Sequence, residues 1–310
     1  MVIEQSGKQT AAVIVTFQPD LRALDDELTA LRPQVGILIV VDNGSRNLSA
    51  LQQLLMRYEA HLEPLQGNTG IAHAQNVGIS MAKRLGASDV LLMDQDSVPA
   101  ADMVVNLYAV MQGLNAQGCR VAAVGPRYID ERYEEMPCFN RVRGIRMERY
   151  GCDGVPQVIE ADYLIASGSL ISLEVLDHVG GMADNLFIDY IDIEWGLRAK
   201  AAGFISYGVC AARLDHSLGE NPIRFWGRNI SVHSPIRNYY FVRNALLIYR
   251  KPYVRWNWII ADLANVLKLL LKSCVVGPQR WRRLRYMMVG SGHGLLNRSG
   301  PMPERWLGRR

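Results

Sequence analysis

The sequence lacks most of the features that would assign it quickly. Its five cysteines (Cys119, Cys138, Cys152, Cys210 and Cys274) are scattered and odd in number, and none stands in a Cys-x-x-Cys spacing. Neither a disulfide framework nor a thiolate zinc site is therefore expected, and a reducing, cytoplasmic setting fits. The opening stretch MVIEQSGKQT has neither the basic start nor the apolar core of a signal peptide, so secretion is not expected. No Gly-x-Gly-x-x-Gly opens the first helical segment, which disfavours a dehydrogenase. No Gly-rich basic loop follows the first strand either, since Phe17-Gln18-Pro19-Asp20 stands there, and this disfavours a nucleotidyltransferase. The most apolar segment, 256–277 (WNWIIADLANVLKLLLKSCVVG), has the length of a membrane span, but Asp262, Lys268 and Lys272 interrupt it at a high cost in hydrocarbon. There is no internal repeat and no low-complexity tract.

What is present describes a folded chain. Of 310 residues, 49% are hydrophobic and 21% charged, values that exclude global disorder and allow one large α/β domain. The net charge is only +4, yet residues 278–310 hold eight arginines (280, 282, 283, 285, 298, 305, 309 and 310) against one acid, Glu304. Such a tail suits an anionic lipid surface or is a solvated terminal face. No nucleic-acid-binding motif accompanies it, so nucleic acid is not an expected partner. Ahead of the tail, Trp256, Ile259, Ile260, Leu263, Leu267, Leu270 and Leu271 recur at helical spacing. The segment reads as an interfacial helix on a membrane, or as an amphipathic helix packed on the core or on a second copy in a homodimer.

The N-terminal half alternates short β-branched runs with helical periods. AAVIVT (11–16) and GILIVV (36–41) flank a segment with Leu21, Leu24, Leu28 and Leu31 on one helical face. Helical stretches over 48–58 and 72–85, and strands near 62–65 and 90–93, continue the pattern. It implies a mostly parallel sheet covered on both faces, whose ligands lie beyond the carboxyl ends of the strands. Three polar loops stand at those ends: Phe17-Gln18-Pro19, Asp42-Asn43-Gly44-Ser45 and Asp94-Gln95-Asp96.

Asp94 and Asp96 close an apolar run as the only Asp-x-Asp of the chain. Alternate residues of a strand share a side, so both carboxylates can face one ligand and hold Mg²⁺ or Mn²⁺ with sites left for diphosphate oxygens. Asp42 serves either turn chemistry or a hydrogen bond to a base or ribose. Asn68-x-Gly70-x-Ala72-x-x-x-Asn76-x-Gly78 opens a helix with small residues that let a nucleotide approach. The cluster Asp189, Asp192 and Glu194, set between Phe187, Ile188, Ile191, Ile193 and Trp195, offers a general base for an acceptor hydroxyl, or else a salt-bridged helix start with Arg198.

Taken in order, VIVTFQP, VVDNGS, GNTGIAHAQNVGI, LLMDQDSVP, FIDYIDIEWGLRA and a later HSLG followed by RNYYFVRN resemble the family 2 inverting glycosyltransferases, within them the L-rhamnosyltransferase group. The resemblance implies a GT-A (Rossmann-like) α/β fold, a mixed, mostly parallel sheet flanked by helices, as a catalytic domain over 1–250. An amphipathic, Arg-rich, membrane-associating region would follow over 251–310. It implies a nucleotide-sugar site of Thr16, Phe17, Asp42, Asn43, Asn68, Gly70, Asn76, Asp94, Gln95, Ser167 and Gly168, and a metal site of Asp96, Asp94 and His216. Asp192 aligns with the base, Glu194 with the second acid, and Asp189 competes because the family's adjacent Glu-Asp pair is replaced here by separated acids. Trp195, Arg237, Tyr239, Tyr240, Arg243 and Asn244 would steady a diphosphate or the acceptor. The implied reaction moves L-rhamnose from dTDP-β-L-rhamnose to a lipid-linked glycan, at the inner face of the cell membrane. A rhamnolipid-type acceptor and a noncatalytic sugar-nucleotide-binding protein are the other readings.

Overall fold

The computed structural model describes residues 9–129, 139–152, 157–216, 223–225, 228–230, 234–275 and 278–306. Strands and helices alternate first: β1 (Thr10–Thr16), α1 (Leu21–Leu31), β2 (Ile37–Asp42), α2 (Leu48–Met56), β3 (His61–Pro64), α3 (Ile71–Arg84) and β4 (Asp89–Asp94). There follow β5 (Ser97–Pro99), α4 (Met103–Ala116), β6 (Val121–Ile129), a hairpin of β7 (Phe139–Arg143) and β8 (Arg146–Tyr150), β9 (Val158–Ala161), β10 (Ser169–Ser172) and α5 (Leu173–Val179). The chain continues through α6 (Ile191–Ala201), β11 (Ile205–His216), a short pair β12 (Ile223–Phe225) and β13 (Arg228–Ile230), α7 (Pro235–Ile248), α8 (Trp256–Val275) and α9 (Arg280–Leu295).

The main sheet runs β3-β2-β1-β4-β10-β6-β11-β5, with β9 also paired to β11. Strands β3, β2, β1 and β4 are mutually parallel, β10 inserts antiparallel between β4 and β6, and β6 and β11 are parallel again. Every residue of β1 is buried, as an interior strand with helices on both faces requires. Leu24, Leu28 and Leu31 of α1 and Leu51 and Leu55 of α2 pack with Ile14 and Val40 on one face. Ala72, Ala74, Ile79 and Ala82 of α3 pack with Val13 and Val41 on the other. Gly78 lies in this second layer and not at a ligand: a Cβ there would stand 2.2 Å from Val13 Cγ1, so its smallness lets α3 lie close on the sheet. Asp20 starts α1 by accepting from the Arg22 backbone N–H at 2.9 Å, a cap worth about 1 kcal/mol.

Three features depart from the sequence reading. Cys152, just after β8, and Cys210, in β11, form a disulfide across 58 residues. Spacing could not show it, because the pairing depends on β9 and β11 bringing the two segments together. Asp262, expected as a charge interrupting an apolar helix, turns inward and is buried, accepting hydrogen bonds from Tyr190 Oη (2.8 Å) and Tyr249 Oη (2.7 Å). Arg283, counted with the basic tail, is also buried, with Nε donating to the Pro278 carbonyl at 2.9 Å and Nη1 to Asn238 Oδ1 at 3.2 Å.

One face of α9, through Tyr286, Met287 and His293, packs on α7, and Tyr239 Oη pairs with His293 Nδ1 at 2.8 Å. The outward faces of α8 and α9 stay apolar, with Trp256, Ile260, Leu263, Leu267 and Leu271 exposed on α8 and Trp281, Leu284 and Met288 on α9. Among the described residues no helix is long and apolar enough to cross a membrane.

Candidate active site

The carboxyl ends of β1, β2 and β4 meet in one stitched edge. Asp42 closes β2, and its carboxylate accepts from Thr16 Oγ1 (3.0 Å) and from the Ser45 backbone N–H (2.8 Å). Asn43 Oδ1 accepts from the Thr69 backbone N–H at 2.8 Å, while its amide nitrogen reaches Asn68 Oδ1 at 3.3 Å, and Asn68 Oδ1 takes the Gly70 N–H at 3.1 Å. Gln95 reads the backbone of Phe17 from both sides, accepting its N–H at 2.7 Å and donating to its carbonyl at 3.3 Å. The three polar loops and the Asn68–Gly70 turn therefore hold one another in place.

Asp94 ends β4, a two-residue turn follows, and the exposed Asp96 leads into β5. Ser167 Oγ accepts from the Asp94 N–H at 3.2 Å and pairs with Ser97 Oγ at 3.0 Å, so the segment before β10 supports the aspartate turn from below. Gly168 donates its N–H to the Leu92 carbonyl at 2.7 Å, and Tyr128 Oη donates to the Ser167 carbonyl at 2.6 Å. His216 ends β11, where the backbone register places it opposite Ser97, one residue from Asp96.

Behind the same turn lies Glu27, on the apolar face of α1 and fully buried. Burial, then the charges of Asp94 and Asp96, push its carboxyl well above the usual range, and the Ser97 backbone N–H opposes the shift. The sequence reading missed it. The available signal was an acid at a core position, set between Leu24, Leu28 and Leu31.

The acidic cluster splits into three environments. Asp192, near the start of α6, has its pKa pushed up to about 6, chiefly by burial and further by the charges of Asp189 and Asp94, against the Ile193 N–H donated to Oδ1 at 2.8 Å. Asp189 is ion-paired with Arg237 of α7. Glu194 is buried, takes both Arg198 Nε and Nη2 at 2.9 Å, and also accepts from Tyr253 Oη. It is thus committed to holding α6, as an acid four residues before an arginine commonly is. The charges of Asp94 and Asp192, besides Asp189, raise the Arg237 guanidinium against the opposing effect of burial, so it is coupled electrostatically to carboxylates of both β4 and α6.

The remaining expected residues have other neighbours. Asn76 binds the backbone of Met182, accepting its N–H at 2.8 Å and donating to its carbonyl at 2.9 Å, and also meets Asp184. Trp195 donates Nε1–H to the Gly180 carbonyl at 2.9 Å and lines a small apolar cavity with Leu92, Leu164, Met182 and Asp192. Tyr240 stacks on Phe187 at 5.1 Å between ring centroids and accepts from the Met302 N–H at 2.8 Å. Arg243 and Asn244 are wholly buried and bond to backbone carbonyls, which leaves them no open face for a diphosphate or an acceptor. The structure thus brings together Thr16, Phe17, Asp42, Asn43, Asn68, Gly70, Asp94, Gln95, Asp96, Ser167 and Gly168 along one edge, with Asp189, Asp192 and Arg237 facing it.

This parallel half-sheet, extended by an antiparallel β10 and closed by an aspartate pair at the β4 end, is a GT-A glycosyltransferase fold. Among solved structures the chain superposes on GalNAc-T7 crystallised with UDP, GalNAc and Mn²⁺ at a TM-score of 0.56 and 13% identity, over 84% of this chain and 54% of that one. It superposes on S. aureus TarS at 0.53 and 13% identity, over 96% of this chain and 50% of that one, so it spans about half the length of either. No family model matches. In sequence the chain is 33% identical over 278 residues, 89% of its length, to the dTDP-rhamnosyl transferase RfbF of Shigella flexneri, covering 90% of that protein. It is 24% identical over 282 residues to the low-salt glycan biosynthesis hexosyltransferase Agl10 of Haloferax volcanii, covering 87% of this chain and 86% of that one. The chain belongs to the family 2 inverting glycosyltransferases, in their rhamnosyltransferase group, and is a glycosyltransferase.

Proposed function

We propose that the protein transfers L-rhamnose from dTDP-β-L-rhamnose to a hydroxyl of a lipid-linked glycan in the synthesis of a cell-surface polysaccharide such as O-antigen. The observation that carries this reading is the electrostatic coupling of Asp94, at the carboxyl end of β4, to Asp192 and Arg237, in a chain related to a dTDP-rhamnosyl transferase. Asp42, Asn43, Asn68 and Gly70 would hold the nucleoside. Ser167 and Gly168 would lie under the donor sugar.

The donor set suits a hard divalent cation. Two carboxylates at a strand end, Asp94 and Asp96, concentrate negative charge that Mg²⁺ or Mn²⁺ would neutralise, and diphosphate oxygens would complete its shell. Among the described residues no group of three His, Cys, Asp or Glu side chains is assembled for a metal, so substrate oxygens would be needed. When bound, the cation absorbs charge that develops on the leaving diphosphate.

The chain's own residues supply the rest. Asp192 Oδ takes the proton of the acceptor hydroxyl as its oxygen attacks the anomeric carbon. The bond from that carbon to the β-phosphate oxygen breaks on the opposite face, and configuration inverts from β to α. Arg237, released in part from Asp189, pairs with the departing diphosphate. Glu194 keeps α6 in register through Arg198.

Residues 1–250 would form the catalytic unit and 251–310 a membrane-associating region, placing the enzyme peripherally on an anionic surface. The exposed apolar faces of α8 and α9 support this, flanked by the exposed Arg280, Arg282 and Arg285. A homodimer through the same face is the competing occupant, and light scattering separates the two. The test of function is incubation of the protein with dTDP-β-L-rhamnose, Mg²⁺ or Mn²⁺ and lipid-linked glycan acceptors. An α-L-rhamnosyl product by NMR supports the reading. A β-product, or transfer from UDP- or GDP-sugars alone, overturns it.

A further inference from the structure

The entry to α6 is strained. Phe187 (φ 68°), Asp189 (φ 64°) and Tyr190 (φ 66°) all hold left-handed backbone, and none is glycine. Such a turn persists only where its surroundings over-determine it, and it ends two residues before Asp192.

The determinant is a side-chain amide. Asn244 Nδ2, from α7, lies 3.0 Å from the Leu186 carbonyl, 2.8 Å from that of Ile188 and 2.8 Å from that of Asp189. Its Oδ1 accepts from Arg243 Nε at 2.9 Å, which fixes which end of the amide faces the turn. Arg243 in turn donates Nη2 to the Leu186 carbonyl at 2.7 Å and Nη1 to that of Gly300, while the Gly300 N–H returns to the Asn185 carbonyl at 2.8 Å. From the opposite side the Ile71 N–H donates to the Phe187 carbonyl at 2.7 Å, and a Cβ on Gly70 would stand 2.6 Å from the same oxygen. Asn244 therefore sits where one side chain collects nearly every carbonyl of the turn.

We infer that Asn244 is a positioning residue for Asp192: oriented by Arg243, its amide holds the Leu186, Ile188 and Asp189 carbonyls in the left-handed path that aims α6 and its base at the sheet edge. This rests on the reading of Asp192 as the general base. Asn244 is wholly buried and has no open face for a substrate. Relaxation of the turn would move the carboxylate by a fraction of an ångström to an ångström, a displacement that costs about 10- to 100-fold in rate when reacting groups must align. The nucleotide site on β1, β2 and β4 would not change.

The test compares wild type, Asn244→Ala and the near-isosteric Asn244→Asp, which keeps the volume and the Arg243 contact but loses the donors. Water replaces the acceptor: the rate of dTDP release from dTDP-β-L-rhamnose with Mg²⁺ is followed against pH, and dTDP affinity is measured by calorimetry. Both variants are expected to bind dTDP within twofold of wild type and to lose 10-fold or more in kcat. In Asn244→Ala, which adds no charge, the acid limb of the rate profile should also move toward the ordinary carboxylate range as Asp192 gains water. The groups facing Asp192 are Asp189, Asp94 of β4, Tyr128 of β6, Tyr163 and Arg237 of α7, and these substitutions leave all five in place. Variants with kcat within twofold overturn the inference, as does a loss of dTDP binding that matches the loss of rate. Asp192→Asn is run alongside. If it keeps turnover, the base assignment itself fails. If it is inactive while the Asn244 variants turn over normally, only the positioning role fails.

Discussion

The Tyr190 hydroxyl donates to Asp262 at 2.8 Å, and this hydrogen bond ties α8 to the residue that opens α6. Tyr249 donates to the same carboxylate at 2.7 Å. Replacing Asp262 by Ala leaves two buried hydroxyls without their acceptor and is expected to lower stability by about 2–4 kcal/mol, whereas Asp262→Asn keeps an acceptor oxygen and should lose about 1 kcal/mol or less. Urea denaturation of both variants, with Tyr190→Phe to close a double-mutant cycle, measures the coupling.

Asp192 gives a pH signature in both rate and stability. As the proposed base, with its pKa pushed up to about 6, Asp192 must be ionised to work, so activity should fall about tenfold per unit below pH 6. Its folded pKa lies above its unfolded one, so its ionisation burdens the fold as pH rises from about 4 through 6, and both states carry the proton below that window. Asp192→Asn should therefore abolish transfer and yet stabilise the protein at pH 8, by on the order of 1–3 kcal/mol, with no gain at pH 3.5. Equal stabilisation at both pH values would contradict the buried-carboxylate account.

Asp96 is the exposed member of the aspartate pair. Asp96→Ala should leave the fold unchanged and weaken dTDP binding about tenfold or more in the presence of Mg²⁺ or Mn²⁺, with little effect in EDTA. Calorimetric titration with and without metal separates the two contributions. An undiminished metal-dependent affinity would move the cation site away from this turn.

The outward face of α8 and α9 makes a separate prediction. Trp281 is 84% exposed and Leu267 52% exposed, so Trp281→Ser with Leu267→Ser should leave the melting temperature nearly unchanged. Each side chain buried in a bilayer is worth about 1.5–3 kcal/mol, so flotation with vesicles containing anionic lipid should drop by tenfold or more. Added salt should weaken wild-type binding through the arginines. Normal flotation of the double variant, or loss of a dimer instead, would reassign the face.

The sheet and its three polar loops were legible because β-branched runs and helical leucine periods are local signals, and Asp94 and Asp96 stood out as acids at the end of an apolar run. Several neighbours were not. Arg243 and Asn244 lie in a motif that resembles a ligand-binding one, yet their partners are carbonyls some 55 residues away, which no local period reports. Asp262 looked like a charge in an apolar helix because the tyrosines that neutralise its cost come from α6 and α7 territory. Glu27 was legible in principle, as an acid among leucines, but the Asp94 and Asp96 charges that help raise its carboxyl come from across the fold.

The antiparallel insertion of β10 also governs the order in which the protein can be made. Strand β4 pairs with β1 on one edge and with β10 on the other, and the register Leu92 to Ser169 joins residues distant in the chain. At synthesis rates of about 5–20 residues per second, the half-sheet of β1 to β4 emerges roughly 4–15 seconds before the strand that closes it. During that interval the β4 edge, composed of Val90, Leu91, Leu92 and Met93, offers unpaired backbone to any neighbouring chain. Yield on expression should therefore depend on translation speed between Pro99 and Ser169 and on chaperone supply, more than on the stability of the finished fold.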